Sequence, residues 1–403
     1  MLKKAVKKFL SVVLATAMVV SSITVYGASV KVPEDRVLTS VKEYSIAPGI
    51  KEKHITTVDK DGNNQVQAYM AEIDLKTSSV GMMAGYKNYD KTGKWGMQTV
   101  RDQAKAAEKA TGKTIVAAIN GDYFDMGTGQ PWGSLVMGGD IVQTQNDHPY
   151  FAIMKDGTAD CREAYEPLDD VVEAIGSPFF LVKDGKALEE LAADPYAMPR
   201  CAVGIKADGS VIIYEADGRQ APKSCGQSLY ETAKQMEAMG CVEALYLDGG
   251  GSATFATKTE GTDSLEVKNS PSDGTERKVS SSLFIYSDAK ADGEFDHATI
   301  SPLEEVYTPG STVQFEATGV DSAGGKADLP KEATFVLKDD SFGKIDGTTG
   351  QFVSNGTEGT VEVQLKSGLC CQRHRQCKLL VNHTDGSLVG NDTRNGGGWS
   401  IAR

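Results

Sequence analysis

The sequence predicts an α+β fold in which helices pack on mixed β-sheets, followed by a small C-terminal β-sandwich. Two observations lead to this prediction. Strand-like and helix-like stretches alternate from about Lys31 to Tyr286, whereas only short β-type stretches separated by turn residues follow residue 297. Between them, residues 287–297 are rich in Asp, Lys, Gly and Glu, a composition typical of a linker. We therefore expect a large folded unit over residues 31–286 and a small one over residues 298–381.

The first 28 residues are predicted to be a secretory signal peptide. Four lysines within the first eight residues precede an apolar run from Phe9 to about Val25, and Gly27-Ala28 offers small residues for cleavage. No later stretch approaches the roughly 20 apolar residues that a membrane-spanning helix needs. We expect a secreted or cell-surface protein without a membrane span after signal cleavage, and the composition of the signal favours a Gram-positive bacterium.

The charge of the chain argues against one broad class of partner. The 403 residues carry a formal net charge of −13, and loss of the four signal-peptide lysines brings it to −17. Nucleic-acid binding relies on Lys and Arg to neutralise phosphates, so this acidic chain is not expected to bind nucleic acid. The seven cysteines match no zinc-site spacing, and the sequence is compatible both with a disulfide among Cys201, Cys225 and Cys241 and with reduced core thiols.

Two parts of the large unit have the same order of elements. Residues 68–119 predict two strands, a helix and a further strand, and residues 200–247 predict that order again. Ser228 and Glu231 have the spacing of a capping box at the start of the second helix. In both parts, the polar residue after the last strand stands eight positions beyond the glycine that ends the helix. This predicts two related hairpin–helix–strand units whose loops face one cleft, and chance similarity is the alternative.

Residues 298–381 resemble in their pattern the bacterial Ig-like domains of secreted proteins. Stretches such as Val313–Ala317 and Thr334–Leu337 alternate apolar and polar residues between turns. This alternation ends at Cys370, and residues 382–403 are expected to form an irregular tail. We interpret the Ig-like domain as truncated, which a frameshift in the gene would explain.

The most informative stretch is an apolar strand-like run that ends in Asp248-Gly249-Gly250-Gly251-Ser252, with Thr254 just after it. Three consecutive glycines forgo side-chain packing, so a fold keeps them where the backbone bends or approaches something closely. Their amides can form a nest for an anion, flanked here by a carboxylate and a hydroxyl. Taken alone, such a stretch favours a tight turn without chemistry, and its surroundings reverse that preference.

Three further clusters share this polar character. Asn120-Gly121-Asp122-Tyr123-Phe124 ends a predicted strand, Arg200 begins another, and a polar loop near the end of the large unit contains Ser272, Asp273 and Arg277. Each has an ordinary structural explanation as a turn, a surface charge or a core aromatic. Together they supply two arginines, three carboxylates and aromatic faces, which suit a sugar joined to a phosphate. The five histidines cluster with no catalytic group, which disfavours Ser-His-Asp chemistry.

In this order, the four clusters resemble the motifs of the phosphodiester glycosidase family. The resemblance covers about residues 65–286, and the string from Asp248 to Phe255 is its most specific part. Many family members have a second glycine after Asn-Gly, where this chain has Asp122, and bacterial members are often labelled exopolysaccharide biosynthesis proteins. The resemblance implies hydrolysis of the bond between a sugar anomeric carbon and a phosphodiester oxygen, with a phosphorylated glycan or a cell-wall polysaccharide as substrate.

The resemblance also implies roles for the clustered residues. Asp248 is the first choice for the carboxylate beside the anomeric carbon, as a nucleophile or as a water-activating base, and Asp273 is the second. Arg200 and Arg277 would stabilise charge on the departing phosphate, and Asn120 would position hydroxyls or phosphate oxygens. The residues predicted to bind substrate are Gly249, Gly250, Gly251, Ser252, Thr254, Tyr123, Asp122, Ser272 and Arg277.

Two other functions are compatible with the sequence. A metal-dependent phosphodiesterase would use Asp122, Asp248 and Asp273 to hold Ca²⁺ or Mg²⁺, whereas the glycosidase is expected to need no cofactor. A non-catalytic polysaccharide-binding protein of the cell surface would keep the fold without turnover. The sequence identifies neither the sugar nor the aglycone, and teichoic acid or capsule phosphodiesters fit as well as N-acetylglucosamine.

Overall fold

The computed structural model describes residues 30–144, 147–302, 305–366 and 377–381. Up to residue 287 the strands are β1 (Arg36–Ala47), β2 (Ile50–Asp59), β3 (Val66–Ile73), β4 (Val80–Tyr86), β5 (Ile115–Asn120), β6 (Leu135–Met137), β7 (Asp140–Gln143), β8 (Tyr150–Met154), β9 (Ala159–Arg162), β10 (Val171–Gly176), β11 (Phe180–Lys183), β12 (Lys186–Ala187), β13 (Arg200–Lys206), β14 (Val211–Ala216), β15 (Cys241–Leu247), β16 (Phe255–Lys258), β17 (Leu265–Val267) and β18 (Ser281–Ser287). The α-helices of the described chain are α1 (Val100–Thr111) and α2 (Leu229–Ala238).

Antiparallel pairing joins these strands into three sheets. The large sheet has eight strands in the order β1-β2-β3-β14-β13-β15-β11-β12. The second sheet has five strands in the order β17-β16-β5-β18-β4, and the third has five in the order β7-β6-β10-β8-β9. The central strands β13 and β15 are almost continuously buried, because layers cover both faces of the large sheet.

One apolar core lies between the large sheet and the second sheet. Its members include Ile73, Val203, Leu245, Ile119, Phe255 and Leu283, together with Phe151 and Ile175 from the third sheet. On the other face of the large sheet, α2 packs through Ala233 and Met236. On the other face of the second sheet, α1 packs through Ala104 and Ala107. The layers therefore run α2, large sheet, core, second sheet, α1, and hydrophobic burial between them is the main stabilising contribution.

The expected α+β class with packed helices is wrong. The structure is mainly β, with 45% strand, and α1 and α2 are the only α-helices among the described residues. The difference arises between residues 135 and 187, where the chain forms the short strands β6 to β12. Short apolar runs fit a strand and a buried helical segment equally well, so their periodicity does not separate the two.

The two predicted hairpin–helix–strand units share their order of elements but not their pairing. In the second unit, β13 pairs with β14 and β15 pairs with β13. In the first, β3 belongs to the large sheet and β4 to the second sheet, and β18 separates β4 from β5. The turn at residues 74–79 therefore connects two packed sheets and does not close a hairpin. Both connections are short, six residues between β3 and β4 and four between β13 and β14, so tertiary packing decides whether each one closes a hairpin.

The residues after 296 form three small sheets. Their strands are β19 (His297–Ser301), β20 (Val306–Tyr307), β21 (Thr312–Gln314), β22 (Glu316–Val320), β23 (Lys326–Ala327), β24 (Thr334–Leu337), β25 (Gly343–Ile345), β26 (Gln351–Ser354), β27 (Gly359–Lys366) and β28 (Cys377–Val381). The orders are β19-β22-β23, β20-β28-β27-β24 and β21-β26-β25. They share a separate core that contains Phe315, Phe335, Phe352 and Val361. The Ig-like type and the domain boundaries stay predictions.

Several expectations lie outside the described residues, namely the signal peptide over 1–28, Cys370 and the tail over 382–403. Within the described ranges, no helix combines the length and apolar character needed to cross a membrane. The three cysteines considered for a disulfide, Cys201, Cys225 and Cys241, are free thiols. Burial raises the pKa of the Cys201 and Cys241 thiols, which makes them unreactive core groups.

Helix α2 begins with the predicted capping box. Glu231 N donates a hydrogen bond to Ser228 Oγ at 3.2 Å, and Ser228 N donates to Glu231 Oε2 at 2.7 Å. At the other end, Gly240 has a φ of 92° and its amide donates to Glu237 O at 2.9 Å. Local sequence signals therefore determine both ends of this helix.

Ser228→Ala should lower the free energy of unfolding by about 1 kcal/mol, because the first turn of α2 loses its side-chain acceptor. Urea unfolding followed by circular dichroism measures the change. Ser228→Asp keeps an acceptor oxygen and is the matched control, with a stability close to that of the wild type. Equal stability of Ser228→Ala and the wild type would contradict the importance of the cap.

Candidate active site

The ends of β5 and β15 lie side by side and carry the two predicted loops. Asn120 Nδ2 donates a hydrogen bond to Asp248 O at 2.6 Å, and Asp248 N donates to Gly121 O at 2.9 Å. Thr254 N donates to Asn120 Oδ1 at 2.9 Å. Asn120 is fully buried, so its amide joins the two loops and is not presented to solvent.

The three consecutive glycines form a tight turn. Gly250 has a φ of 60°, and its amide donates to Pro199 O at 2.9 Å. Ser252 N donates to Gly249 O at 3.2 Å, and Ala253 N donates to Gly250 O at 3.3 Å. These backbone amides already have acceptors inside the protein. The amides of Gly250, Ser252 and Ala253 are therefore not free to bind an anion at this turn.

An ion pair lies on the third glycine. Arg277 Nε donates to Asp273 Oδ2 at 2.8 Å, and Arg277 Nη2 lies 2.6 Å from the same oxygen. A Cβ on Gly251 would overlap both partners, so any side chain at this position would displace the ion pair. Arg277 Nη1 also donates to Ser252 Oγ at 3.3 Å. The predicted residues Gly251, Ser252, Asp273 and Arg277 are therefore in direct contact.

Asp248 is a partly buried carboxyl at the start of this turn. Burial raises its pKa to about 6, although the hydrogen bonds from Ser252 and Gly249 N and the charge of Arg277 act in the opposite direction. Asp248 is therefore mostly ionised at neutral pH while keeping an affinity for protons. The charge of Asp273, by contrast, is paired with the guanidinium of Arg277.

Asp122 points into the protein. It accepts hydrogen bonds from Tyr123 N at 2.7 Å and from Gly133 N at 2.6 Å. Burial raises its pKa to about 7, and the neighbouring charge of Asp248 adds to the increase. A Cβ on Gly133 would lie 2.6 Å from the Cα of Gly176. The Asp122 carboxyl therefore lies where the backbones at Gly133 and Gly176 pass close to each other, and its hydrogen bonds hold the Asn120 loop in place.

Arg200 uses most of its donors inside the fold. Its Nε donates to Gln227 O at 3.0 Å, its Nη2 to Tyr196 O at 2.8 Å and its Nη1 to the Tyr246 hydroxyl at 3.2 Å. Only 6% of the residue is exposed. These contacts fix the start of β13 against its neighbours, so Arg277 is the more accessible of the two predicted arginines.

The remaining predicted residues take different positions. Thr254 is buried, and its hydroxyl donates to Ser252 O at 3.1 Å. Ser272 Oγ is buried, and no residue in the described part of the chain forms a hydrogen bond with it. Asp122, Asp248 and Asp273 do not form a metal cluster, since none of the described residues belongs to a group of three or more His, Cys, Asp or Glu placed to hold an ion.

Residues 113–286, which contain all of these side chains, match the family model described as phosphodiester glycosidase. These residues belong to the phosphodiester glycosidase family. The resemblance inferred from the four motifs is thereby confirmed. We call residues 113–286 the glycosidase-family region.

Several known proteins are similar to parts of the chain. The mouse N-acetylglucosamine-1-phosphodiester alpha-N-acetylglucosaminidase is 29% identical over 161 residues, which are 34% of this chain and 31% of the relative. An uncharacterised SPbeta prophage-derived protein of Bacillus subtilis, YomE, is 39% identical over 98 residues, 24% of this chain and 14% of the relative. The chain thus spans less than a third of the length of either relative.

The solved catalytic domain of the zebrafish N-acetylglucosamine-1-phosphodiester alpha-N-acetylglucosaminidase, auto-inhibited by its pro-peptide, is also similar to this chain. It is 22% identical, with a TM-score of 0.47, and the match covers 62% of this chain and 88% of that one.

Tyr123 was predicted to bind substrate, whereas its aromatic neighbours Trp132 and Tyr246 were not among the predicted site residues. Tyr123 meets Trp132 edge to face at 5.4 Å between ring centroids, and it meets Tyr246 in the same way at 6.0 Å. Trp132 is 49% exposed and stacks on His148. The nearness of Trp132 to the Asn120 loop in the sequence was the available signal. The predicted substrate-binding residue Tyr123 is therefore one part of a larger aromatic group.

The segment after β14 was also missed. Ser270 N donates to Asp217 Oδ1 at 2.9 Å, and Gln220 Nε2 donates to Ser270 O at 2.6 Å. Asn269 Oδ1 in turn accepts from Phe255 N at 2.9 Å. These bonds hold the loop of Asp273 against the glycine turn. The available signal was Asp217-Gly218 after β14, which is a polar residue followed by glycine at the end of a strand, as at Asn120 and Asp248.

Asn120→Ala should lower the free energy of unfolding by about 3 kcal/mol, because it leaves the buried Asp248 O and Thr254 N without their partner. Urea unfolding measures the loss. The control is Asn63→Ala at an exposed position, where a change within about 0.5 kcal/mol is expected. A stability of Asn120→Ala equal to that of the control would show that the amide does not tie the loops together.

Proposed function

We propose that this chain is a secreted hydrolase that cleaves the sugar–phosphate bond of glycosyl-1-phosphodiesters in surface or host glycans. The family membership supports a phosphodiester glycosidase-like hydrolase. The observation that carries the proposal is the hydrogen bond between Asp248 and Ser252, whose hydroxyl also accepts from Arg277, so that a carboxyl of raised pKa lies near a guanidinium. The name of the mouse relative specifies an N-acetylglucosamine-1-phosphodiester, and we extend only the sugar-1-phosphodiester class to this chain.

In the proposed reaction, the bond between the anomeric carbon and the bridging oxygen breaks. That oxygen leaves with the electron pair as part of a phosphate monoester, and the oxygen of water becomes bonded to the anomeric carbon. One proton of the water is released when the products are a free sugar and a phosphate monoester dianion. Asp248 acts as the nucleophile that is later displaced by water, or as the base that takes the proton.

The leaving group explains why a strong general acid is not needed. A phosphate monoester is a weak base, so it departs with little protonation. Its growing negative charge is best stabilised by fixed positive groups close to the bridging oxygen. Arg277, which is held by Asp273 and Ser252, would supply part of this positive charge. The aromatic surface of Tyr123 and Trp132 offers an apolar face to a sugar ring.

The rate constant kcat/KM should increase as the pH rises through about 6, because Asp248 has to be ionised to act and burial raises its pKa to that value. Asp248→Asn should reduce kcat/KM about 10²- to 10⁴-fold and abolish this pH limb. Asp273→Asn is the comparison, with a smaller loss. Full turnover by a folded Asp248→Asn protein would remove Asp248 from the mechanism.

Product analysis tests the reaction itself. Incubation with sugar-1-phosphodiesters should release a free sugar and a phosphate monoester, whereas release of a sugar 1-phosphate would indicate cleavage on the other side of phosphorus. We also propose that no metal ion is required, so turnover should persist in EDTA. Activity lost in EDTA and restored by Ca²⁺ or Mg²⁺ would favour the metal-dependent phosphodiesterase. Glycan binding without any product would favour the non-catalytic function.

A further inference from the structure

An arginine outside the predicted motifs lies over the glycine turn. Arg219 follows β14 and is exposed. A Cβ on Gly250 would stand 3.3 Å from Arg219 Nη2 and 3.5 Å from its Nη1. Arg277 lies in the same way on the next glycine, Gly251. Two guanidinium groups therefore cover consecutive glycines of one turn.

The backbone holds Arg219 in an unfavourable conformation. Its φ of 60° lies in the left-handed region, which glycine adopts without strain and arginine does not. The preceding Gly218 packs so tightly that a Cβ would lie 2.6 Å from Pro199 N. The following Gln220 exchanges backbone hydrogen bonds with Ser224 at 3.0 and 3.1 Å. Strain retained at a rigidly held position is a reason to look for a function of the side chain.

The charge of Arg219 is not neutralised by the residues that the structure describes. Among those residues, its Nε donates to the Met198 sulfur at 3.4 Å, and a thioether sulfur is a weak acceptor. Arg277 is paired with Asp273, and the donors of Arg200 are bonded to carbonyl oxygens and a hydroxyl. Arg219 is therefore the cation at this turn whose two terminal nitrogens are available to a ligand.

We infer that Arg219 binds the phosphate group of the substrate directly, while Arg277 stays paired with Asp273 beside the glycine turn. This inference rests on the proposed function. A guanidinium donates two parallel hydrogen bonds to phosphate oxygens, a geometry that an ammonium group cannot reproduce. Because the departing phosphate gains negative charge as the bond to the sugar breaks, the contact strengthens toward the transition state and contributes to kcat as well as to binding.

Arg219→Gly separates this role from a structural one. The change relieves the backbone strain, so the melting temperature should rise. At the same time kcat/KM for a sugar-1-phosphodiester should fall roughly 10- to 100-fold, the usual loss for a hydrogen bond to a charged group. Arg219→Lys keeps the positive charge but loses the pair of parallel donors, so it should recover only a minor part of the lost kcat/KM. Wild-type kcat/KM in Arg219→Gly would overturn the assignment.

Tyr165→Gly is the matched control, since Tyr165 is an exposed residue with a φ of 68°. It should raise the melting temperature without changing kcat/KM. Calorimetric titration with inorganic phosphate provides a second measurement that does not depend on turnover. The wild type and Tyr165→Gly should bind phosphate, and Arg219→Gly should bind it at least 10-fold more weakly. Equal phosphate affinity in all three proteins would overturn the inference, even if the wild type proves to be an active glycosidase. If phosphate binds as expected but no sugar is released, only the proposed reaction would be refuted.

Discussion

The buried amide of Asn120 is the constraint on which the rest of the site depends. It lies at the end of β5 in the second sheet and bonds to Asp248 O and Thr254 N, which flank the glycine turn after β15 of the large sheet. One side chain thus joins the ends of two sheets that sandwich the same core. Because donor and acceptor are both satisfied in a buried position, the relative placement of the two loops is rigid. That rigidity holds Asp248 next to Ser252 and Arg277.

The site also concentrates carboxyl groups that are costly to ionise. Burial raises the pKa of Asp248 and Asp217 to about 6 and that of Asp122 to about 7. The folded protein therefore binds these protons more tightly than the unfolded chain. The stabilisation from this difference is complete below the ordinary aspartate pKa near 4 and is lost as the pH rises through 6 to 7. At neutral pH these buried carboxyl groups therefore no longer add to the free energy of unfolding.

The sequence and the structure agree where the decisive contacts are local. The capping box of Ser228 and Glu231 and the glycine at the end of α2 involve residues a few positions apart, so their spacing alone is informative. They disagree where partners are distant. The short strands β6 to β12 between residues 135 and 187 are not encoded locally, β3 and β4 were expected to pair, and the glycine turn was expected to offer its amides to an anion, whereas the Gly250 amide is bonded to Pro199 O. In each case the outcome depends on which other segment packs or bonds there.

The sequence by itself determined the family of residues 113–286 and the two α-helices, and it singled out Asp248, Ser252, Asp273 and Arg277 as candidates, because motif order and short-range spacing are encoded along the chain. Only the tertiary structure decided how those residues are used. It placed Arg200 inside a hydrogen-bonded network, turned Asp122 inward, and set Trp132, Asp217 and Arg219 beside the motifs. The physical reason is that burial, donor saturation and strain are properties of contacts between distant segments, and no single stretch of sequence specifies them.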